Sequence, residues 1–157
     1  MPVLGIDPGS SGCAVVLSDE GEHLQHFYFK TMQSGKTKRF DMMSANFHFA
    51  ALQGYDIKRC FVEKVGAMPG QGVTSMFNFG YATGCIEALA VTYGFPFTHI
   101  TPATWKKEYG FTGADKDAPR VKAALRFPNV PDIHKKAKGQ ALADAIFIAY
   151  SGMGWKF

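Results

Sequence analysis

Asp144 is the residue of this sequence hardest to explain by packing. It sits in the run Ala141-Leu142-Ala143-Asp144-Ala145-Ile146-Phe147-Ile148 with no charged neighbour to pair with, and a carboxylate taken out of water without a partner is strongly disfavoured or shifts its pKa. Asp7 repeats the problem at the end of the apolar run Val3-Leu4-Gly5-Ile6, and Glu63 repeats it after Cys60-Phe61-Val62. Each of these two also has a plain reading: Asp7 caps the turn through Pro8-Gly9-Ser10, and Glu63 is a solvated strand end paired with Lys64. Together, one acid from a first strand, one from a later strand and one from a late helix can converge at a single sheet edge. Carboxylates grouped in this way are ligands for hard cations such as Mg²⁺. Two such ions activate a water and stabilise the leaving oxygen in phosphodiester hydrolysis, so the expected chemistry is that of a nuclease.

Composition is compatible with that chemistry. The 157 residues fit one ordinary globular domain spanning 1–157. With 46% hydrophobic and 19% charged residues there is material for a packed core and no case for global disorder. Lys and Arg outnumber Asp and Glu by 17 to 13, and the resulting +4 suits a polyanionic partner without requiring one. Cys13, Cys60 and Cys85 are odd in number and sit among apolar neighbours, which predicts reduced packing thiols and a cytoplasmic setting rather than a disulfide framework. No basic leader precedes Asp7. The almost uncharged stretch 65–105 is interrupted by Gly, Pro and Asn too often for a membrane span, so it is expected to be buried or to form an interface.

The elements that must position the acids follow from periodicity. Residues 3–6 read as a central strand covered on both faces, and residues 12–17 and 23–29 as two strands joined through Asp19-Glu20-Gly21 in an antiparallel hairpin. A helix is predicted over 40–54, a fourth strand over 57–65 and a fifth over 95–100. The longest helix spans 75–93, with Phe79, Ala82, Ile86, Leu89 and Tyr93 as one stripe and Gly80, Gly84 and Ala88 as a smooth second one. Further helices are predicted over 102–109, 115–127 and 138–150, while 33–39 and 68–73 read as mobile loops. His23, His26, His48 and His99 show no metal spacing and, with Phe27, Phe29, Phe47 and Phe49, are expected to pack. The fold class expected is α/β: a mixed five-stranded sheet flanked by helices.

Gly5-Ile6-Asp7-Pro8-Gly9-Ser10, Phe61-Val62-Glu63-Lys64-Val65 and Ala143-Asp144-Ala145-Ile146-Phe147-Ile148-Ala149 resemble, in order, the three acidic motifs of the RuvC-like Holliday junction resolvases, which share the ribonuclease H-like fold. The resemblance runs nearly end to end: Phe79-Gly80-Tyr81-Ala82-Thr83-Gly84 is similar to the family's dimer-helix segment, and residues 110–116 (GFTGADK) to its glycine-containing loop before a lysine. It implies Asp7, Glu63 and Asp144 as ligands of Mg²⁺, with Mn²⁺ able to substitute and Asp7 shared by both ions. It also implies Lys106 and Lys116 as the two lysines near the scissile phosphate, and Met68 or Phe77 as the side chain that wedges into the junction. The family's usual fourth acid, three or four residues before the last Asp, is replaced here by Ala141 and Gln140. Gln140 shares a helix face with Asp144, so its amide oxygen is the expected substitute, with His134 as the other candidate. Lys135, Lys136 and Lys138, leading into the helix of Asp144, are expected to meet DNA phosphates, ahead of Lys36, Lys38 and Arg39.

The activity implied is that of a homodimeric, Mg²⁺-dependent endonuclease that nicks symmetrically placed strands of a four-way DNA junction in a bacterial or phage-infected cell. The dimer is expected to form on the helix over 75–93, with Ile86→Arg as the variant to split it. Two alternatives stay open: a broader debranching nuclease acting on flaps and forks, and a catalytically silent junction-binding protein.

Overall fold

The computed structural model describes residues 1–157. Strands β1 (Val3–Asp7), β2 (Cys13–Leu17) and β3 (His23–Tyr28) form an antiparallel meander. A separate two-stranded ribbon follows, β4 (Thr31–Ser34) with β5 (Thr37–Phe40). Helix α1 (Met42–Leu52) leads to β6 (Arg59–Glu63), and α2 (Val73–Thr92) to β7 (Phe97–Ile100). The chain closes with α3 (Pro102–Glu108), α4 (Ala118–Arg126) and α5 (Lys136–Met153). β6 joins β1 in parallel and β7 joins β6 in parallel, so the main sheet has the order β3-β2-β1-β6-β7. This is the mixed five-stranded sheet expected, and no helix is long and apolar enough to cross a membrane.

Helices cover both faces of the sheet, which is why β1 and β2 read as unbroken apolar runs rather than alternating ones. Leu4, Ile6, Ala14 and Val16 fill a core with α1 and α2, and Val3, Cys13, Val15 and Leu17 fill the opposite core with α3, α4 and α5. Local signals set the helix starts: Asp41 accepts the Ser44 N–H at 2.9 Å ahead of α1, and Thr101 caps α3 with Pro102 in its first turn.

Several expectations need correction. The segment 33–39 is no loop: it supplies most of the β4–β5 ribbon, whose tight turn is made possible by Gly35 at φ 59 and by the Thr37 hydroxyl donating to the Ser34 carbonyl. Phe47 is 76% exposed, because it lies on the outer side of α1, while Phe27, Phe29 and Phe49 are core as expected. His99 is exposed rather than core, with its Nε2 2.7 Å from Glu87 Oε1. Ile86 is fully buried against the sheet, so Ile86→Arg tests the core and not an intermolecular contact. All three cysteines are free, Cys13 and Cys60 buried and Cys85 half-buried.

Candidate active site

Asp7 is the last residue of β1 and Glu63 the last of β6. The parallel register sets Gly5 beside Phe61 and Ile6 beside Val62, so one further step ends both strands with acids on neighbouring strands. Alternation fixes the face. Leu4, Ile6, Cys60 and Val62 belong to the α1/α2 core and Val3 and Phe61 to the α5 core, which turns Asp7 and Glu63 to the α5 side. Asp144 approaches the same edge from α5. That helix lies on β1 at Gly5, where a Cβ would collide with the Ala145 carbonyl oxygen and stand 2.7 Å from the Ala149 Cβ. Only glycine admits so close an approach. All three acids are half-buried.

Electrostatics tie them together. Burial holds the Asp7 carboxyl well above the usual range, and the charges of Asp144 and Glu63 raise it further against the pull of Lys106. Burial also pushes Asp144 up to about 7, opposed by a hydrogen bond from Gln140 and by Lys106 and Lys116 while Glu63 adds to the rise. Glu63 is raised by burial and restrained by a hydrogen bond from Trp105 and by Lys106. Burial is the leading cause in all three, so the site disfavours three ionised carboxylates unless a cation joins them.

Gln140, one turn before Asp144, donates its amide N–H to Asp144 Oδ1 at 2.8 Å. Its own Oε1 is buried and has no hydrogen-bond partner. A buried carbonyl oxygen left unpaired is unfavourable, and beside a carboxylate it belongs to a donor set suited to a hard divalent cation. The donors are not gathered into a finished cage: no three His, Cys, Asp or Glu side chains stand close enough to hold an ion. Ala141 is buried and offers no donor. His134 is exposed, with its Nε2 2.9 Å from the Pro128 carbonyl oxygen, so its ring is engaged away from the acids.

Lys106 on α3 and Lys116 in the α3–α4 connection are exposed and line, with Gln140 and Asp144, a cleft of about 570 Å³. Asp7 opens onto an adjoining depression with Lys116, Lys136, Gln140 and Asp144. The basic run ahead of α5 is divided by the fold. Lys136 lines the depression onto which Asp7 opens, whereas Lys135 pairs with Asp132 and the Lys138 ammonium stands 5.1 Å from the Tyr28 ring centroid. Met68 and Phe77 are 65% and 68% exposed, on the β6–α2 connection and the first turns of α2, outside both depressions. One contact was not foreseen: Trp105 donates its indole N–H to Glu63 Oε1 at 2.8 Å. Nothing in a local pattern signals a pairing across 42 residues.

Acids at the ends of two parallel central strands, joined at that edge by an acid from a covering helix, define a protein of the ribonuclease H-like nuclease class. The family model for the crossover junction endodeoxyribonuclease RuvC matches residues 3–151, and the chain belongs to that family. Its activity is the resolution of crossover junctions in DNA. The fold is shared with Thermus thermophilus RuvC solved in complex with a Holliday junction substrate, 21% identical over 98% of this chain and 96% of that one, with a TM-score of 0.71. A second Thermus thermophilus RuvC structure is 17% identical over 98% of this chain and 97% of that one, with a TM-score of 0.60. A Fowlpox virus resolvase solved with Holliday junction DNA is 14% identical over 97% of this chain and 98% of that one, with a TM-score of 0.47. No curated protein matches the chain.

Proposed function

We propose that residues 1–157 form one nuclease domain that resolves four-way DNA junctions as a homodimer, using Mg²⁺ held by Asp7, Glu63 and Asp144 with the Gln140 amide oxygen in place of a fourth acid. The observation that carries this reading is the convergence of β1, β6 and α5, which sets Asp7 within the electrostatic reach of both Glu63 and Asp144, beside Lys106 and Lys116. When bound, Mg²⁺ lowers the pKa of an attacking water and stabilises charge on the leaving oxygen.

The chain's own residues account for the rest. Asp7, the acid whose carboxyl both others raise, would hold the ion together with Glu63 and Asp144. Gln140 orients Asp144 through its N–H and keeps its buried oxygen free. Lys106 and Lys116, exposed on the cleft that holds Asp144, neutralise a phosphate that would otherwise meet only negative charge. Lys136 adds a further phosphate contact, and binding is accordingly salt-dependent. Met68 or Phe77, apolar and exposed, is the side chain that enters the junction centre. The open face of α2 seats the second copy, so that two sites act across a two-fold axis. Acting on DNA is in keeping with a cytoplasmic setting in a bacterial or phage-infected cell.

The test is a Mg²⁺-dependent cleavage assay on a four-way junction, a Y-fork, a flap and a linear duplex of equal length. Paired, symmetric nicks confined to the junction are expected. Equal cutting of forks and flaps would establish the broader debranching activity, and binding without cutting in Mg²⁺ or Mn²⁺ would establish a silent junction-binding protein.

A further inference from the structure

Trp105 is fully buried on α3, a short helix on which Ala103, Thr104, Lys106, Lys107 and Glu108 are exposed. Its ring lies parallel to that of Phe147 on α5, centroids 6.3 Å apart, and meets Phe111 edge-on at 6.1 Å. Phenylalanine would keep an aromatic ring against Phe147 while leaving part of that space empty. What phenylalanine lacks is the N–H, and here the N–H is aimed at Glu63 Oε1, 2.8 Å away. The Lys106 ammonium stands 5.3 Å from the centroid of the same ring.

We propose that Trp105 is a positioning residue of the carboxylate site: its indole N–H fixes Glu63 Oε1, leaving Oε2 for the cation, and its ring face keeps the Lys106 ammonium beside the same carboxylate. This rests on the reading of Glu63 as an ion ligand. A glutamate side chain has several rotatable bonds, and one charge-assisted bond from a rigid donor selects among its rotamers. The donor is rigid because Phe147 and Phe111 lock the ring. Since Phe147 sits on α5 with Asp144, one indole ties the helix that carries the third acid to the strand that carries the second. Cation–π attraction holds Lys106 against the ring without tying its ammonium to a carboxylate, so the charge stays available to a phosphate.

Partners that orient a ligating carboxylate typically change metal affinity 10- to 100-fold when removed. Calorimetric titration of Mg²⁺ into the full chain should therefore show Trp105→Phe binding about 10- to 100-fold more weakly than the parent. Phe147→Leu, which keeps the N–H but loosens the ring that carries it, should weaken binding by less than Trp105→Phe does. In the metal-free protein, Glu63→Gln should shift the Trp105 indole N–H resonance in a ¹⁵N-correlated spectrum, assigned with Trp155→Phe. Parental Mg²⁺ affinity in Trp105→Phe overturns the positioning role, and so does an indole resonance unmoved by Glu63→Gln. If the parent itself binds no Mg²⁺, the ion-site reading falls and the positioning role with it. The indole shift still reports the Trp105–Glu63 bond, which tells the two failures apart.

Discussion

The two faces of the sheet are finished to different degrees. On the α5 side the close approach is complete: Gly5 receives the backbone of α5, Gly152 receives the Phe61 ring, and residues 141–150 are buried except for Asp144. On the other side α2 buries Ala82, Thr83, Ile86, Leu89 and Ala90 but leaves Val73 87% and Phe77 68% exposed. A Cβ on Gly80 or Gly84 would meet nothing within 4 Å. The same residue type thus serves two ends. Gly5 is a steric necessity inside the chain, whereas Gly80 and Gly84 have no neighbour in the chain to accommodate. A smooth, partly apolar helix face left open beside a fully packed one points to contact with another molecule, in keeping with the proposed dimer.

That contrast can be broken most sharply at the packed face. Asp7→Asn should lower junction cleavage by more than about a hundredfold, since loss of a direct ligand outweighs loss of its supporting partner. Junction binding measured by gel shift in Ca²⁺ should persist, because one negative charge near the DNA has been removed. Cleavage near the parental rate would return Asp7 to the role of a turn residue.

Glycine substitutions should then move in opposite directions on the two faces. Gly5→Val drives a side chain into α5 and should destabilise the fold by about 1–3 kcal/mol in urea unfolding. Gly84→Ala places a methyl group in open space on a helix and should stabilise the isolated subunit by about 0.5–1 kcal/mol. If the open face is the dimer seam, Gly84→Ala should also weaken self-association in sedimentation velocity runs at low concentration. Losses of equal size at the two glycines would erase the distinction between the faces.

A pH effect separates the acids from ordinary surface carboxylates. Because burial raises the folded pKa of Asp144 to about 7, well above that of a carboxyl in water, the folded protein favours the protonated form. The stability this contributes is fully present below about pH 4 and is lost as pH rises through about 7. In metal-free buffer, Asp144→Asn should therefore match the parent near pH 4 and melt at a higher temperature by pH 8, with the gap opening between. A gap independent of pH would mean that Asp144 is solvated.

The smallest effect belongs to Gln140. Gln140→Ala should raise the Mg²⁺ concentration for half-maximal cleavage by up to about tenfold with little change in junction affinity. Gln140→Asp, which restores a charge, should lower it. Identical Mg²⁺ titrations for parent and variants would mean that the buried amide oxygen has no part in holding an ion.

The sequence by itself determined the sheet, most of the helices and the identity of the acids. Asp7 and Glu63 are conspicuous because each ends an apolar run and Asp144 because it interrupts one, and the cost of burying a charge acts on one residue at a time. Gln140 was within reach for a similar reason, since a spacing of four on a helix places it over Asp144. Tertiary structure decided everything that depends on partners distant in sequence. Lys135, Lys136 and Lys138 form one basic cluster along the chain, yet helix geometry sends them to an aspartate, to the depression beside Asp7 and to a tyrosine ring. Phe47 follows the same composition as Phe49 and ends in solvent because it lies on the outer side of α1. Trp105 gives no local sign of its bond to Glu63, and Gly5 gives none of the helix that will press on it. Periodicity and charge burial are local quantities that a chain carries before it folds, whereas a hydrogen bond or a van der Waals contact between distant residues exists only once α3 and α5 have settled on the sheet.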